Sequence, residues 1–338
     1  MGIRPLLIVL LLLAVSCSGP KPHSYQKSKA LMDTFITITV VSDSEATAGA
    51  AIEKAFVRLE QFGNMINFFS PDSELSMVNN NAGVAATHVS PETLEVIDKA
   101  LYVAEKSGGA FDPTIGPIMQ LWDFHKNTKP EDAEVKRRLP LVNYRNVRID
   151  RKHSTVFLTR KGMLLDLGGI AKGYAADLAV ETLGKQGIRS GIVAVAGDIK
   201  AFGYRPDGKP WNIGIKNPRQ KGEKDEIIAT IPLSDKAIST AGDYERFFIM
   251  NGQRYHHIMN PATGYPAYGT RSVSVVADKG VFADGFDNAI FVLGPEKGRK
   301  LIEQLNRDFP ADAFIIYDNG SEYITTGING LLKHEKEH

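Results

Sequence analysis

Apolar residues fall along this chain with two spacings, one of strands and one of helices. Phe35 to Val41 alternates threonine with apolar side chains, which predicts a strand. Ile52, Ala55, Phe56, Leu59 and Phe62 then recur at helical spacing, and Ser42 and Glu45 are set as a capping box ahead of them. Phe68-Phe69-Ser70-Pro71-Asp72 reads as a turn before a short helix bearing Leu75 and Val78. Ser90 and Pro91 predict the cap and first turn of a helix through Leu94, Ile97, Leu101 and Ala104, stopped at Gly108-Gly109. Ala110-Phe111-Asp112-Pro113 is a loop leading to a helix at Thr114, and Glu131 to Arg138 is a charged, exposed helix. Val147 to Asp150, Thr155 to Thr159 and Met163 to Asp166 are short β-like runs.

A helix with Ala171, Ala175, Leu178, Ala179 and Leu183 on one face follows, and after it the pattern is mostly β. Strands are expected at Gly191 to Ala196, Trp211 to Ile215, Ile227 to Ile231, Ala237 to Thr240, Phe247 to Met250, Arg254 to Met259 and Val273 to Ala277. Asn251-Gly252 and Asn319-Gly320 are hairpin turns, the latter between Phe314 to Tyr317 and Tyr323 to Thr325. Two more helices are expected, Val281 to Leu293 and Glu296 to Asn306. Runs of hairpin-joined strands with interspersed helices predict an α+β fold with largely antiparallel sheet, not a doubly wound parallel one. No break in composition divides it, so one domain is expected over 30–332.

The ends are different. Arg4 precedes an apolar run, Pro5 to Val15, far short of the roughly 20 residues of a membrane-spanning helix. Ala14-Val15-Ser16-Cys17 then resembles a lipoprotein box: 1–16 would be the signal peptide and Cys17, the only cysteine, the lipidated first residue. The alternative is a plain secretory signal; either way the protein is expected outside the cytoplasm. With lipidation it would be anchored to the cell membrane on the periplasmic or extracytoplasmic side. Residues 17–29 read as a flexible tether and 333–338 as a charged tail. Lys and Arg total 40 against 39 Asp and Glu, a net charge of +1, which lacks the basic excess of a nucleic-acid binder.

Three stretches carry candidate chemistry. Leu164-Leu165-Asp166-Leu167-Gly168-Gly169-Ile170-Ala171-Lys172-Gly173 is a glycine turn feeding a helix, a place where backbone N–H groups meet an anion. Asp166 could hold a ribose or base and Lys172 a phosphate; an ordinary turn with a surface lysine is the other possibility. On the Val281 helix, at about 100° per residue, Phe282, Phe286, Ala289, Ile290 and Leu293 fall on one side and Asp284, Asp287 and Asn288 on the other. Hard oxygens at that spacing suit Mg²⁺, or form a solvated acidic face. In Tyr255 to Gly264, His256 and His257 point to opposite faces of a strand, so one at most serves a given site. No His/Cys cluster has zinc-ligand spacing.

Together with Met32-Asp33-Thr34, Ser70 to Ser76, Gly109 to Thr114, Gly197-Asp198-Ile199, Ser239 to Tyr244, Ala283-Asp284 and Phe291 to Gly294, these stretches resemble the ApbE family, the FAD:protein FMN transferases. The pieces stand in family order and span about Ala30 to Gly330. The resemblance implies an ApbE-type fold, Mg²⁺, and transfer of FMN from FAD to a threonine hydroxyl of an acceptor protein, with release of AMP. It implies that Met32, Phe69, Ala110, Phe111, Asp112, Asp166, Lys172 and Ile258 line the FAD site. Gly169 through its carbonyl, with Asp284, Asp287 and Asn288, would surround the metal, and His257 would be the base. The implied acceptors carry a Ser/Thr-Gly-Ala-Thr-like site, as in subunits of Na⁺-pumping NADH:quinone reductase or Rnf-type complexes. Four positions depart from the family pattern: Asp33 for glycine, Phe69 for tyrosine, Asn260 for aspartate and Asn288 for threonine. A Mg²⁺-dependent FAD pyrophosphatase needs the same residues, and a non-catalytic flavin-binding lipoprotein would need no base.

Overall fold

The computed structural model describes residues 22–219 and 226–335. Cys17, the signal segment and the end of the tail after Glu335 lie outside the described residues. In chain order the elements begin β1 (His23–Leu31), β2 (Thr34–Ser42), α1 (Glu45–Met65), α2 (Glu74–Asn80), β3 (Thr87–His88), α3 (Pro91–Lys106), α4 (Gly116–Met119), α5 (Asp132–Arg138), β4 (Val147–Asp150), β5 (Thr155–Leu158) and α6 (Ala171–Lys185). There follow β6 (Gly191–Val195), β7 (Asp198–Phe202), β8 (Trp211–Lys216), β9 (Ile227–Leu233), β10 (Lys236–Gly242), β11 (Phe247–Met250), β12 (Gln253–His256), β13 (Met259–Asn260), β14 (Tyr265–Pro266) and β15 (Thr270–Ala277). The last are α7 (Gly280–Asp308), β16 (Ala311–Tyr317), β17 (Glu322–Ile324), α8 (Thr326–Asn329) and β18 (Lys333–His334).

The main sheet runs β1-β2-β6-β7-β10-β15-β16-β17, eight strands with every neighbouring pair antiparallel. The α+β expectation therefore holds. One face of the sheet carries α1, α3, α6 and α7 over the largest apolar core, which includes Ile36, Ile38, Phe56, Phe62, Phe286 and Phe291. Burying each such side chain stabilises by about 1.5–3 kcal/mol. A second core under β8 and β9 holds Trp211, Ile213 and Ile231, and a third holds Trp122, Val135 and Phe248 beneath the β11–β12 hairpin.

Several elements differ from expectation, each for a local reason. The cap of α1 is Ser44, whose Oγ accepts from Thr47 N–H at 3.3 Å, while Ser42 bonds Ser44 instead of closing a box. The tether expected up to Lys29 is strand from His23, because its backbone pairs along β2 from His23↔Ser42 to Leu31↔Thr34. Lys333 and His334, expected in a mobile tail, pair with Thr230 and Ala229. Met163 to Asp166 forms no strand: the Asn79 side chain takes both the N–H (2.7 Å) and the C=O (3.0 Å) of Leu165, and only Leu164 bridges to Ile115. The two helices expected from Val281 to Leu293 and from Glu296 to Asn306, by contrast, are present as the two parts of α7, divided by the non-helical Gly294 (φ 70°) and Pro295.

The α6–α7 crossing is the closest packing in the helical layer that concerns function. A Cβ on Gly173 would lie 2.1 Å from the Gly280 carbonyl oxygen and 2.7 Å from Asp284 Cβ. Gly173→Ala should therefore force the helices apart, costing at least the 1–3 kcal/mol of an overpacked core. Gly184, in the same helix with nothing within 4 Å of its Cβ position, is the control: Gly184→Ala should stabilise by about 0.5–1 kcal/mol through helix propensity. Urea denaturation of both variants reads the difference, and equal stabilities would refute the crossing as a steric constraint.

Candidate active site

Each helix at the crossing caps the other. No side chain near Ile170 caps α6; the Gly173 N–H instead donates to Asp284 Oδ2 of α7 at 2.9 Å. In return Asp177 of α6 accepts from Gly280 N–H (2.9 Å) and Val281 N–H (3.1 Å) at the start of α7. The anion at the N-terminus of α6 is thus a carboxylate of the chain itself.

That exchange draws the acidic face of α7 inside. Asp284 and Asp287 are each 1% exposed, so the solvated alternative is excluded. Asp198, at the start of β7, joins them, and the three carboxylates place ligand oxygens within 4.8 Å of one another. Lys172, in the first turn of α6, bonds Asp198 and lies 3.5 Å from Asp284. Ser239 on β10 donates to Asp198 and, at 2.6 Å, to Asp287. The Asn288 amide nitrogen reaches Asp287 Oδ1 (2.9 Å), the Asp284 carbonyl (2.9 Å) and the Gly169 carbonyl (3.4 Å). Gly169, Asp284, Asp287 and Asn288 are therefore brought together as expected, with Lys172 at their edge.

The charges do not balance. Three buried carboxylates face one ammonium. Burial and then the Asp198 charge push Asp284 up to about 7. Burial, Asp284 and Asp198 raise Asp287 well above the usual carboxylate range. Burial alone would lower the Lys172 pKa, but the charges of Asp198, Asp284 and Asp287 outweigh it and raise it. A divalent cation would supply the missing two charges. The donors are all oxygen, with no thiolate or imidazole, which fits a hard ion such as Mg²⁺.

Around this centre, Phe111 reaches Gly169, whose Cβ would lie 3.2 Å from Phe111 Cε2. The Ala110 to Pro113 loop runs beside Asp166, whose N–H donates to the Pro113 carbonyl at 2.8 Å. Asp166 itself accepts from Gly168 N–H at 2.8 Å, and burial raises its pKa. The carboxylate of Asp112 holds its own loop: it accepts from Thr114 N–H and Oγ1 and from Tyr144 N–H. Met32 and Asp33 both turn at positive φ (54° and 56°), and Met32 Cγ would meet a Cβ on Gly63 at 2.8 Å. Asp33 thus adopts the backbone form that glycine takes freely. Phe69 is 83% exposed, and its ring contact is with Phe68. Among the described residues, no hydrogen bond or ring contact joins it to the acidic centre.

The two histidines divide as their strand alternation predicts. His256 is 2% exposed; its Nε2 lies 2.7 Å from the Ala267 carbonyl and its Nδ1 accepts from Ile258 N–H at 3.3 Å. His257 is half-buried, with Nδ1 3.3 Å from the Arg246 carbonyl. Burial first, then the charges of His256, Arg246 and Lys172, hold its pKa down to about 4. Ile258 is 4% exposed and part of the main core. Asn260 keeps the turn that aspartate would make, its Oδ1 accepting from Ala262 N–H at 2.9 Å.

Asp198 and Ser239 were not among the residues expected to hold the metal. Both lie in motifs that the sequence displays, Gly197-Asp198-Ile199 and Ser239 to Tyr244, and neighbouring strands bring them together.

The model of the ApbE family matches residues 32–311. The chain is 34% identical to the FAD:protein FMN transferase of Treponema pallidum over 332 residues, 93% of this chain and 90% of that one. It is 30% identical to the FAD:protein FMN transferase of Vibrio cholerae over 330 residues, 95% and 96% of the two chains. The crystal structure of the ApbE protein from Thermotoga maritima superposes with a TM-score of 0.82 at 32% identity, covering 91% of this chain and 99% of that one. The flavin transferase ApbE from Vibrio cholerae superposes with a TM-score of 0.78 at 28% identity, covering 92% and 99%. By sequence and by fold, the chain belongs to the ApbE family.

Proposed function

We propose that this protein is a FAD:protein FMN transferase that moves FMN from FAD to a threonine hydroxyl of an acceptor protein and releases AMP. The observation that carries the reading is the buried cluster of Asp198, Asp284 and Asp287 against Lys172, with the half-buried His257 within reach of the Lys172 charge. Storage of a flavin calls for neither. Relatives called FAD:protein FMN transferase, similar over nearly their whole length, support it.

The Gly169 carbonyl, Asp198, Asp284, Asp287 and Asn288 would hold Mg²⁺, with Asn288 turning its amide oxygen inward. When bound, the ion supplies positive charge to the pyrophosphate as a Lewis acid. Lys172 stands where its ammonium can neutralise charge on the leaving AMP phosphate. His257 takes the proton of the threonine hydroxyl as that oxygen bonds to the FMN-side phosphorus and the phosphorus–oxygen bond to AMP breaks. Met32, Phe69, the Ala110 to Asp112 loop, Asp166 and Ile258 line the FAD site. An acceptor with a Ser/Thr-Gly-Ala-Thr-like sequence, as in Na⁺-pumping NADH:quinone reductase or Rnf-type subunits, is the expected partner.

Incubation with FAD, Mg²⁺ and such an acceptor, followed by intact mass of the acceptor, tests the reaction. His257→Ala should bind FAD normally but transfer FMN about 10²- to 10⁴-fold more slowly, the usual loss for a missing general base. Because His257 is held down to about 4, its base form is already full at pH 6. The wild-type single-turnover rate should therefore show no inflection near the ordinary histidine value of about 6.5. A rate in His257→Ala equal to wild type removes the base assignment.

The carboxylate pair gives a pH signature. An acid whose pKa folding raises loses stability as pH climbs from its unfolded value, about 3.9, towards its folded one. For Asp284 the folded value is about 7. Metal-free protein should lose this contribution between those limits, and Asp284→Asn should flatten the loss while abolishing AMP release. Mg²⁺ must displace that proton, so it should raise Tm more at pH 8 than at pH 6. An equal rise at both values, or full activity in EDTA, refutes the metal site.

Cys17 we take to be the lipidated first residue of the mature protein, facing the periplasm or cell exterior. Among the described residues no helix is long and apolar enough to cross a membrane; a lipid on Cys17 would be the anchor in this reading. Cys17→Ser should leave the precursor uncleaved or free the protein from membranes. A mature N-terminus mapped downstream of Cys17 overturns this.

A further inference from the structure

The hairpin that delivers His257 has a second face. Phe247 pairs with His256 and Ile249 with Arg254, so these four side chains share one side of β11–β12. A cleft of about 400 Å³ lies on that side, with His256 and Arg254 in one wall and Tyr268 and Thr270 in the other.

The chemistry of the cleft restricts what fits it. Arg219 is bound to Asp243 through both guanidinium nitrogens, at 2.6 Å each. Arg254 donates to the Asp243 carbonyl at 3.2 Å and lies 3.8 Å over the Phe247 ring. Asp318, the other carboxylate of the lining, accepts from Gly269 N–H at 2.7 Å. Two guanidiniums and two carboxylates cancel, so the cleft has no net charge with which to hold a phosphate or a metal. Thr270 is 2% exposed, and its hydroxyl is the one buried side-chain polar atom without a hydrogen-bond partner among the described residues. Buried hydroxyls are nearly always paired, so a ligand that bonds it gains a contact the free protein lacks. Outside the lining, on the hairpin face that carries Arg254 and His256, Phe247 and Ile249 stay 37% and 63% exposed.

A neutral cleft with donors and acceptors, and an apolar patch beside it, matches an uncharged, extended polypeptide segment. His257 follows His256 directly, in the bend just past the end of β12. We propose that this cleft docks the segment of the acceptor protein that carries the target hydroxyl. A main-chain group of that segment bonds Thr270 Oγ1, an apolar flank rests on Phe247 and Ile249, and the next residues pass over the end of β12 to His257. The proposal rests on the transferase reading; release of FMN and AMP into water needs no such cleft.

Initial rates with FAD, Mg²⁺ and a purified acceptor, at varied acceptor concentration, test it in Thr270→Val and Ile249→Asp. Valine keeps the shape of a buried side chain that makes no bond, and Ile249 is exposed, so both variants should fold. Thr270→Val should raise the KM for acceptor about 2- to 10-fold, the range for one lost hydrogen bond, with kcat and the dissociation constant of FAD near wild type. Ile249→Asp should raise the acceptor KM at least as much. An acceptor KM equal to wild type in both variants overturns the cleft alone and leaves the transferase standing. A raised KM for FAD instead gives the cleft to the nucleotide and also overturns it. Wild-type protein that releases AMP yet labels no acceptor overturns the transferase reading and the cleft with it.

Discussion

The contact on which the site depends is the meeting of two glycines. Gly173 and Gly280 let α6 and α7 approach until backbone touches backbone. At that distance Asp284 can close the N-terminus of α6 and Asp177 that of α7. Neither helix has a capping side chain of its own. The caps are therefore tertiary contacts, and helix termini, carboxylates and Lys172 are positioned together or not at all. A one-carbon change at Gly173 would press on Asp284 and so reach the charged centre without replacing a charged residue.

The consequence is an electrostatic debt held inside the fold. Like charges confined at 1% exposure normally titrate until they share protons. Asp284 and Asp287 follow that rule: burial and then the Asp198 charge push Asp284 upward, and burial, Asp284 and Asp198 push Asp287 upward. The Ser239 hydroxyl, the Asn288 amide and the Gly173 N–H relieve the repulsion only in part, since they are neutral and one cation, Lys172, faces three acids. A divalent cation held there as proposed would offset the two uncompensated charges, and its binding would then be coupled to the α6–α7 packing that brings the carboxylates together.

Much of this architecture is written locally. Helix stripes such as Ile52-Phe56-Leu59 and Ser90 capping before Pro91 appear where spacing puts them. What sequence patterns miss is decided by partners far along the chain. The Leu164 stretch has the composition of a strand, but Asn79, from α2, takes its hydrogen bonds. The polar face of α7 has the composition of a solvated surface, but it is turned onto α6 and β10. Asp198 lies far from Asp284 in sequence and becomes its neighbour because α7 packs against β7 and its sheet partner β10. Helical periodicity separates the two faces of α7; it does not say which neighbour covers the polar one.

The histidine pair shows how one local rule divides structural from chemical work. Strand alternation sends His256 inward, where both ring nitrogens bond backbone and an uncharged ring is favoured by burial. Those two bonds tie residues 256, 258 and 267 together, fixing the backbone on either side of His257. His257, turned the other way, keeps its contact with the Arg246 carbonyl and feels the charge of Lys172. Burial is the main reason its imidazole stays neutral, and the charges of His256, Arg246 and Lys172 add to it. The burial that weakens the histidine as a base also keeps it unprotonated, so the ring is free to accept a proton without first losing one.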